Sequence, residues 1–199
     1  MKIAIIGAGN IGGTLGKKWA QAGHEVRFGA RNPSYPKFNE LREVGAVTTI
    51  SEALNGADVI LLSLPGAAVA EFVDQHGLAL AGKVVIDAAN NVGRAEMNNL
   101  SALNEKAPGA HLVRAFSTLG WENFANPQLG GQVIDLFYCG QAAARAVADR
   151  LITETGLRPV YVGDLETVQV VDGLTRLWFA LAYAQGQGRR IAFKLMRED

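Results

Sequence analysis

Short unbroken runs of apolar residues alternate along the chain with stretches in which apolar positions recur every three or four residues. The runs are Lys2 to Ile6, Glu25 to Phe28, Asp58 to Leu64, Lys83 to Asp87, His111 to Phe116, Val133 to Cys139 and Pro159 to Val162. Rich in Val, Ile and Leu and without polar alternation, they predict strands buried on both faces of a mainly parallel sheet. The stretches between them, Asn10 to Gln21, Ala67 to Gln75, Ala95 to Lys106 and Ala142 to Thr155, are long enough to be crossover helices. Tyr35 to Ser51 reads as a short helix followed by a weak strand at Ala46 to Thr49. Strand and helix in alternation specify a doubly wound α/β sheet.

The pattern changes after Gly163. Leu165, Val168, Val171, Leu174, Leu177, Trp178, Leu181 and Ala182 fall at helical steps and predict one helix over Asp164 to Ala184. Gly186 and Gly188 break it, and Arg189 to Met196 predicts a last short helix. The division is therefore a nucleotide-binding domain over residues 1–162 and a small helical C-terminal appendage over residues 163–199, packed on the same domain. Leu174, Leu177, Trp178, Phe179, Leu181, Ala182 and Tyr183 spread apolar surface so widely around the long helix that a second copy of the chain is expected to cover part of it, as a homodimer.

Gly7-Ala8-Gly9-Asn10-Ile11-Gly12 has the form G-x-G-x-x-G between the first strand and the first helix. In that context Gly7 permits the tight turn, Gly9 leaves room for a pyrophosphate, and Gly12 allows helix and strand to pack closely, while the helix N-terminus faces the phosphates. The fold is accordingly of Rossmann type. After the second strand the chain reads Phe28-Gly29-Ala30-Arg31-Asn32-Pro33-Ser34, without the acid that would bind ribose hydroxyls and repel a 2′-phosphate. Arg31 offers a planar fork for that phosphate, with Ala30, Asn32, Ser34 and Lys37 beside it, so NADP is the expected cofactor.

In such sheets the ligand lies beyond the carboxyl ends of the strands. The residues there are Ser63-Leu64-Pro65, Ala88-Ala89-Asn90 and Ser117-Thr118, the last two assigned to the substrate. No paired acid and base stands among them, and no Tyr-x-x-x-Lys arrangement is suitably placed. An acceptor that takes a hydride into its own conjugated ring therefore fits better than a carbonyl needing a proton.

Composition adds exclusions. Nineteen basic and nineteen acidic residues leave no net field for a nucleic-acid backbone, and no apolar stretch is long enough to span a membrane. A single cysteine, Cys139, and three scattered histidines supply neither a disulfide nor a metal cage, so no metal is expected and a cytoplasmic location is.

The sequence resembles the NADPH-dependent coenzyme F420 reductases, which share a Rossmann domain with the N-terminal reductase domain of membrane ferric reductases. The likeness rests on Ile6 to Gly12, Gly29-Ala30-Arg31-Asn32, Val85 to Asn90, Ala115-Phe116-Ser117-Thr118, Phe124-Ala125-Asn126, Gly156-Leu157-Arg158-Pro159 and Leu174-Thr175. It implies hydride transfer between NADPH and coenzyme F420 or a flavin-like ring. The chain departs from the pattern at Ser117, where F420-using members have histidine, and at Asn90-Asn91, where Asn-Pro is usual. A quinone acceptor, an NADP-sensing module without turnover and a dehydrogenase of small acids or imines remain as alternatives. If the acceptor is F420, its phosphate and carboxylates are expected to meet Arg176, Arg189, Arg190, Lys194 and Arg197.

Overall fold

The computed structural model describes residues 1–198. Along the chain, β1 (Lys2–Ile6), α1 (Asn10–Gln21), β2 (Glu25–Gly29), α2 (Asn39–Arg42), β3 (Ala46–Thr48) and α3 (Ile50–Leu54) form the first half-unit. Then come β4 (Val59–Leu62), α4 (Gly66–His76), β5 (Val84–Asp87), α5 (Leu100–Lys106) and β6 (His111–Arg114). The remainder is α6 (Trp121–Ala125), β7 (Gln128–Leu129), β8 (Gln132–Val133), β9 (Asp135–Gly140), α7 (Ala142–Glu154), β10 (Arg158–Gly163) and α8 (Val168–Phe179).

Eight strands make one sheet in the order β10-β9-β6-β5-β4-β1-β2-β3. Pairing is parallel from β3 through β6, β9 runs antiparallel to β6, and β10 is parallel to β9. The expected doubly wound, mainly parallel Rossmann-type sheet is thus the observed one. The chain leaves β1 toward β2 and β3, then returns to β4 on the other side of β1. That reversal opens a crevice at the carboxyl ends of β1 and β4.

Alternate residues of each strand feed two apolar layers. Ile3, Ile5, Val59, Leu61 and Ile86 meet Leu15 and Trp19 of α1, Leu151 and Ile152 of α7 and Trp178 of α8. Ala4, Ile6, Ile60, Leu62 and Val85 meet Leu54 of α3, Val69 and Phe72 of α4 and Leu103 of α5. Because every central strand is covered twice, its sequence cannot alternate, which is why unbroken Val, Ile and Leu runs predicted it.

Four segments depart from the sequence expectations. Leu100–Lys106 is helical, but Ala95 to Asn99 is not, because the Asn99 amide N–H donates to Asp87 Oδ2 at 2.8 Å and Asn98 Oδ1 accepts from the Leu100 N–H at 2.9 Å. A small hairpin of β7 and β8, unexpected from the sequence, turns at Gly130-Gly131, whose positive φ at both positions suits a tight two-residue connection. The final turn of α8 widens into a π-helix over Ala180–Ala184.

The fourth departure is the Arg189 to Met196 segment, which is an irregular strap instead of a helix. Tertiary partners take the groups a helix would need. The Asn123 amide donates to the Arg189 and Ile191 carbonyls, Trp178 Nε1 donates to the Ile191 carbonyl, and the Leu195 N–H donates to Asp135. Burial works against ionisation of Asp135, but donors from Arg158, Leu195 and Lys194 outweigh it and hold its carboxyl below the ordinary range.

Candidate dinucleotide site

At the crevice, Gly7 takes φ +107°, and a Cβ there would lie 2.6 Å from the Ser63 backbone, so only glycine lets β1 turn against the end of β4. A Cβ on Gly12 would lie 2.1 Å from the Gly7 carbonyl, which fixes α1 directly on the turn. Gly9 and Asn10 are exposed and Ile11 half-buried at the mouth. The N-terminus of α1 has no side-chain cap and no acid in its first turn, leaving its N–H groups for an anion.

A cleft of about 400 Å³ opens beside this turn. It is walled by Gly7, Ala8, Ala30, Leu64, Pro65 and Phe72, and Arg31, Asn32 and Lys37 line its rim. Arg31 and Lys37 are exposed, and Lys37 Nζ sits 5.1 Å over the Tyr35 ring. Arg42 donates to the Pro33 carbonyl at 2.5 Å, which orders the loop carrying these cations. The residues present therefore fit an adenosine carrying a 2′-phosphate.

Other expected residues lie elsewhere. Ser34 is exposed outside the cleft lining. The Ser63 hydroxyl donates to the Gly7 carbonyl at 2.7 Å and so braces the glycine turn instead of facing a ligand.

The Arg31 rim lies on the β2 side of the point where the topology reverses, and the turns after β5 and β6 lie on the other. Ala88, Ala89 and Asn90 leave β5 there, and Ser117 and Thr118 leave β6. The two turns are joined by the Asn90 amide, which donates to the Ser117 carbonyl at 3.2 Å. Ser117 and Thr118 are 2% and 1% exposed, and their hydroxyls have no hydrogen-bond partner among the described residues. Leaving each unpaired costs about 1–3 kcal/mol, the kind of deficit a bound polar group offsets. Just before them Phe116 adopts φ 59°, a left-handed conformation disfavoured for an aromatic residue. Edge-on contacts with Trp19 at 5.8 Å and Phe124 at 5.5 Å hold it.

Beneath these turns lies a charged cluster absent from the sequence reading. Arg114, Asp87 and Asp172 are each fully buried. Arg114 Nε donates to Asp172 Oδ1 at 3.0 Å and one terminal nitrogen donates to Asp87 Oδ2 at 3.3 Å. Asn98 donates to the other Asp172 oxygen at 2.8 Å. Burial pushes the Asp87 carboxyl up, against the opposing pull of Arg114 and of the Asn99 and Ala89 donors. A basic residue inside the apolar run of β6, and an acid between Val171 and Thr175 on the inward face of α8, were the available signals.

The basic C-terminal residues do not form a free cationic patch. Arg189 pairs with Glu122 at 2.5 Å, and Arg190 donates to the carbonyls of Glu122, Asn126 and Gln128. Lys194 pairs with Asp135, and Arg176 donates to the Ala95 carbonyl. Four of the five residues expected to meet an acceptor's anionic tail instead fasten the strap and α8 to the domain.

Residues 2–91 match the model of a family described as NADP oxidoreductase, coenzyme F420-dependent. A crystal structure of a putative F420-dependent NADP reductase from Arthrobacter sp. FB24 superposes with a TM-score of 0.84 and 26% identity, covering 99% of this chain and all of that one. The family match lies in the first half of the chain, over β1 to the turn after β5. Metalloreductase STEAP3 of Rattus norvegicus is 25% identical over 87% of this chain and 36% of its own length. The chain spans about a third of the length of the first curated relatives it matches. An imine reductase from Bacillus cereus, at 17% identity and a TM-score of 0.68, shares the fold.

Proposed function

We propose that the protein is an NADPH-dependent reductase whose acceptor is a flat conjugated ring of the deazaflavin (coenzyme F420), flavin or quinone class. The observation that carries this reading is the cleft rim: Arg31 and Lys37 stand where a ribose-binding acid would exclude NADP, beside an uncapped helix N-terminus. When bound, NADPH supplies the hydride. Gly7, Gly9, Asn10, Ile11 and Gly12 hold the pyrophosphate, while Ala30, Arg31, Asn32 and Lys37 hold the phosphorylated ribose. Leu64 and Pro65 flank the adenosine half, and Ala88, Ala89 and Asn90 support the nicotinamide half.

The acceptor class follows from what the turns lack. The ionisable groups near the ends of β5 and β6, Asp87 and Arg114, are sealed and tied to each other. Glu122 is half-buried; burial opposes its ionisation, but Arg189 outweighs this and holds its carboxyl below the ordinary range. None of the three supplies a proton to a substrate at the turns, so a ring that stabilises the transferred hydride by conjugation suits the site better than a carbonyl. The Ser117 and Thr118 hydroxyls are the unpaired polar groups of these turns.

Anaerobic mixing with NADPH should show oxidation at 340 nm in the presence of F420, FMN or a soluble quinone and not with small oxo-acids or imines. Turnover of the latter pair instead would make the protein a dehydrogenase of small substrates. Tight NADPH binding with no oxidation by any acceptor would favour a sensing module.

We also propose a homodimer formed through α8. Trp178 and Ala182, expected at the contact, turn into the chain's own core at 2% and 4% exposure. On the outer face Val170 is 63% and Leu177 47% exposed, and with Leu174 and Leu181 they make a stripe at four-, three- and four-residue steps. That spacing suits packing against a symmetry-related copy of the same helix. Light scattering at micromolar concentration should give about twice the 21.2 kDa chain mass, and Leu177→Glu should return it to one chain. A parent particle of single-chain mass contradicts the dimer.

A further inference from the structure

The Arg114 guanidinium reaches no cleft, yet most of its hydrogen bonds end on the turn that supports the nicotinamide half in the proposed function. One terminal nitrogen donates to the Ala89 carbonyl at 2.5 Å and the Asp87 carbonyl at 3.2 Å. The other donates to Asn90 Oδ1 at 2.6 Å and the Met97 carbonyl at 3.5 Å. Its Nε is held from behind by Asp172, itself fixed by Asn98. A guanidinium carries its five N–H donors in one rigid plane, so fixing Nε fixes where the acceptors on the turn must lie.

Asn90 passes the constraint on. Its oxygen is taken by Arg114 and its nitrogen by the Ser117 carbonyl, so the side chain is a strut between the β5 and β6 turns and not a free partner for a ribose. The next residue of the second turn bears Thr118, whose hydroxyl, like that of Ser117, is unpaired. None of these hydrogen bonds goes to the glycine turn or the Arg31 loop.

We propose that Arg114 is a positioning residue for the nicotinamide half of the dinucleotide, setting the backbone of Ala88 to Asn90 directly and that of Ser117 and Thr118 through Asn90. A purely structural residue would weaken binding of every part of the ligand together; a positioning residue for one half would not. This role rests on the NADP reading above, and the test separates the two.

Calorimetric titration with NADP⁺ and with 2′,5′-ADP, which carries the adenosine half and its phosphate without nicotinamide, distinguishes them. Arg114→Lys keeps the buried charge but loses the planar fork. It should weaken NADP⁺ at least tenfold and leave 2′,5′-ADP within about twofold. Asn90→Ala, which leaves both buried ion pairs intact, should give the same selective loss even if the lysine variant folds poorly. Parallel losses for both ligands, or none in Asn90→Ala, would overturn the positioning role. A parent protein that binds neither probe would remove the NADP reading itself, and this role with it.

Discussion

Arg114→Met is expected to lower the unfolding free energy by about 3–5 kcal/mol, a large share of what a domain this size has. The cause is electrostatic and not volumetric, since methionine fills much of the same space. Two carboxylates, Asp87 and Asp172, would remain fully buried without their cation, and the Ala89 carbonyl and Asn90 side chain would each lose a donor. Adding Asp172→Asn to Arg114→Met should recover part of the loss, because it removes one of the stranded charges. Urea unfolding of the parent and the single and double variants measures this directly. A loss below about 1 kcal/mol in the single variant would show that the cluster contributes little.

Much of the sheet was legible because the rules behind it are local. A strand covered on both faces must be apolar through its middle, and β4 is apolar throughout while β1 and β5 carry a charge only at one end, Lys2 and Asp87. The glycine turn was equally plain, since its spacing is dictated by the close approach of Gly12 to the Gly7 carbonyl. The loop after β2 could be read by what was missing from it. Long-range pairing was not legible. Asp135 and Trp178 draw the Arg189 to Met196 strap out of its helical pattern from 13 to 60 residues away in sequence. For the same reason the basic C-terminal residues could be read as a solvated face or as partners of an acceptor's anionic tail, when Glu122, Asp135 and backbone carbonyls are what four of them meet.

The site divides along the same line. Arg31, Asn32 and Lys37 were visible because each follows directly from its place in a loop after β2. Arg114, Asp172 and Asn98 were not, because their meaning arises only when β6 and α8 are brought together across 58 residues. Phe116 gave no signal at all, since nothing in an aromatic side chain announces a positive φ.

In the proposed function the cleft selects NADP through Arg31. Its guanidinium is exposed on the rim, with no carboxylate among Gly29, Ala30, Asn32, Pro33, Ser34 or Tyr35 to bind an unphosphorylated ribose. A charge-assisted hydrogen bond to phosphate is worth about 1.5–3 kcal/mol, or roughly ten- to a hundredfold in affinity. The most direct measurement is the dissociation constant for NADPH and for NADH, in the parent and in Arg31→Ala, at one fixed ionic strength. The parent should prefer NADPH, and the variant should lose NADPH affinity by that factor while its NADH affinity changes less than about threefold. Equal affinities in the parent, or equal losses for both nucleotides in the variant, would rule out selection by Arg31.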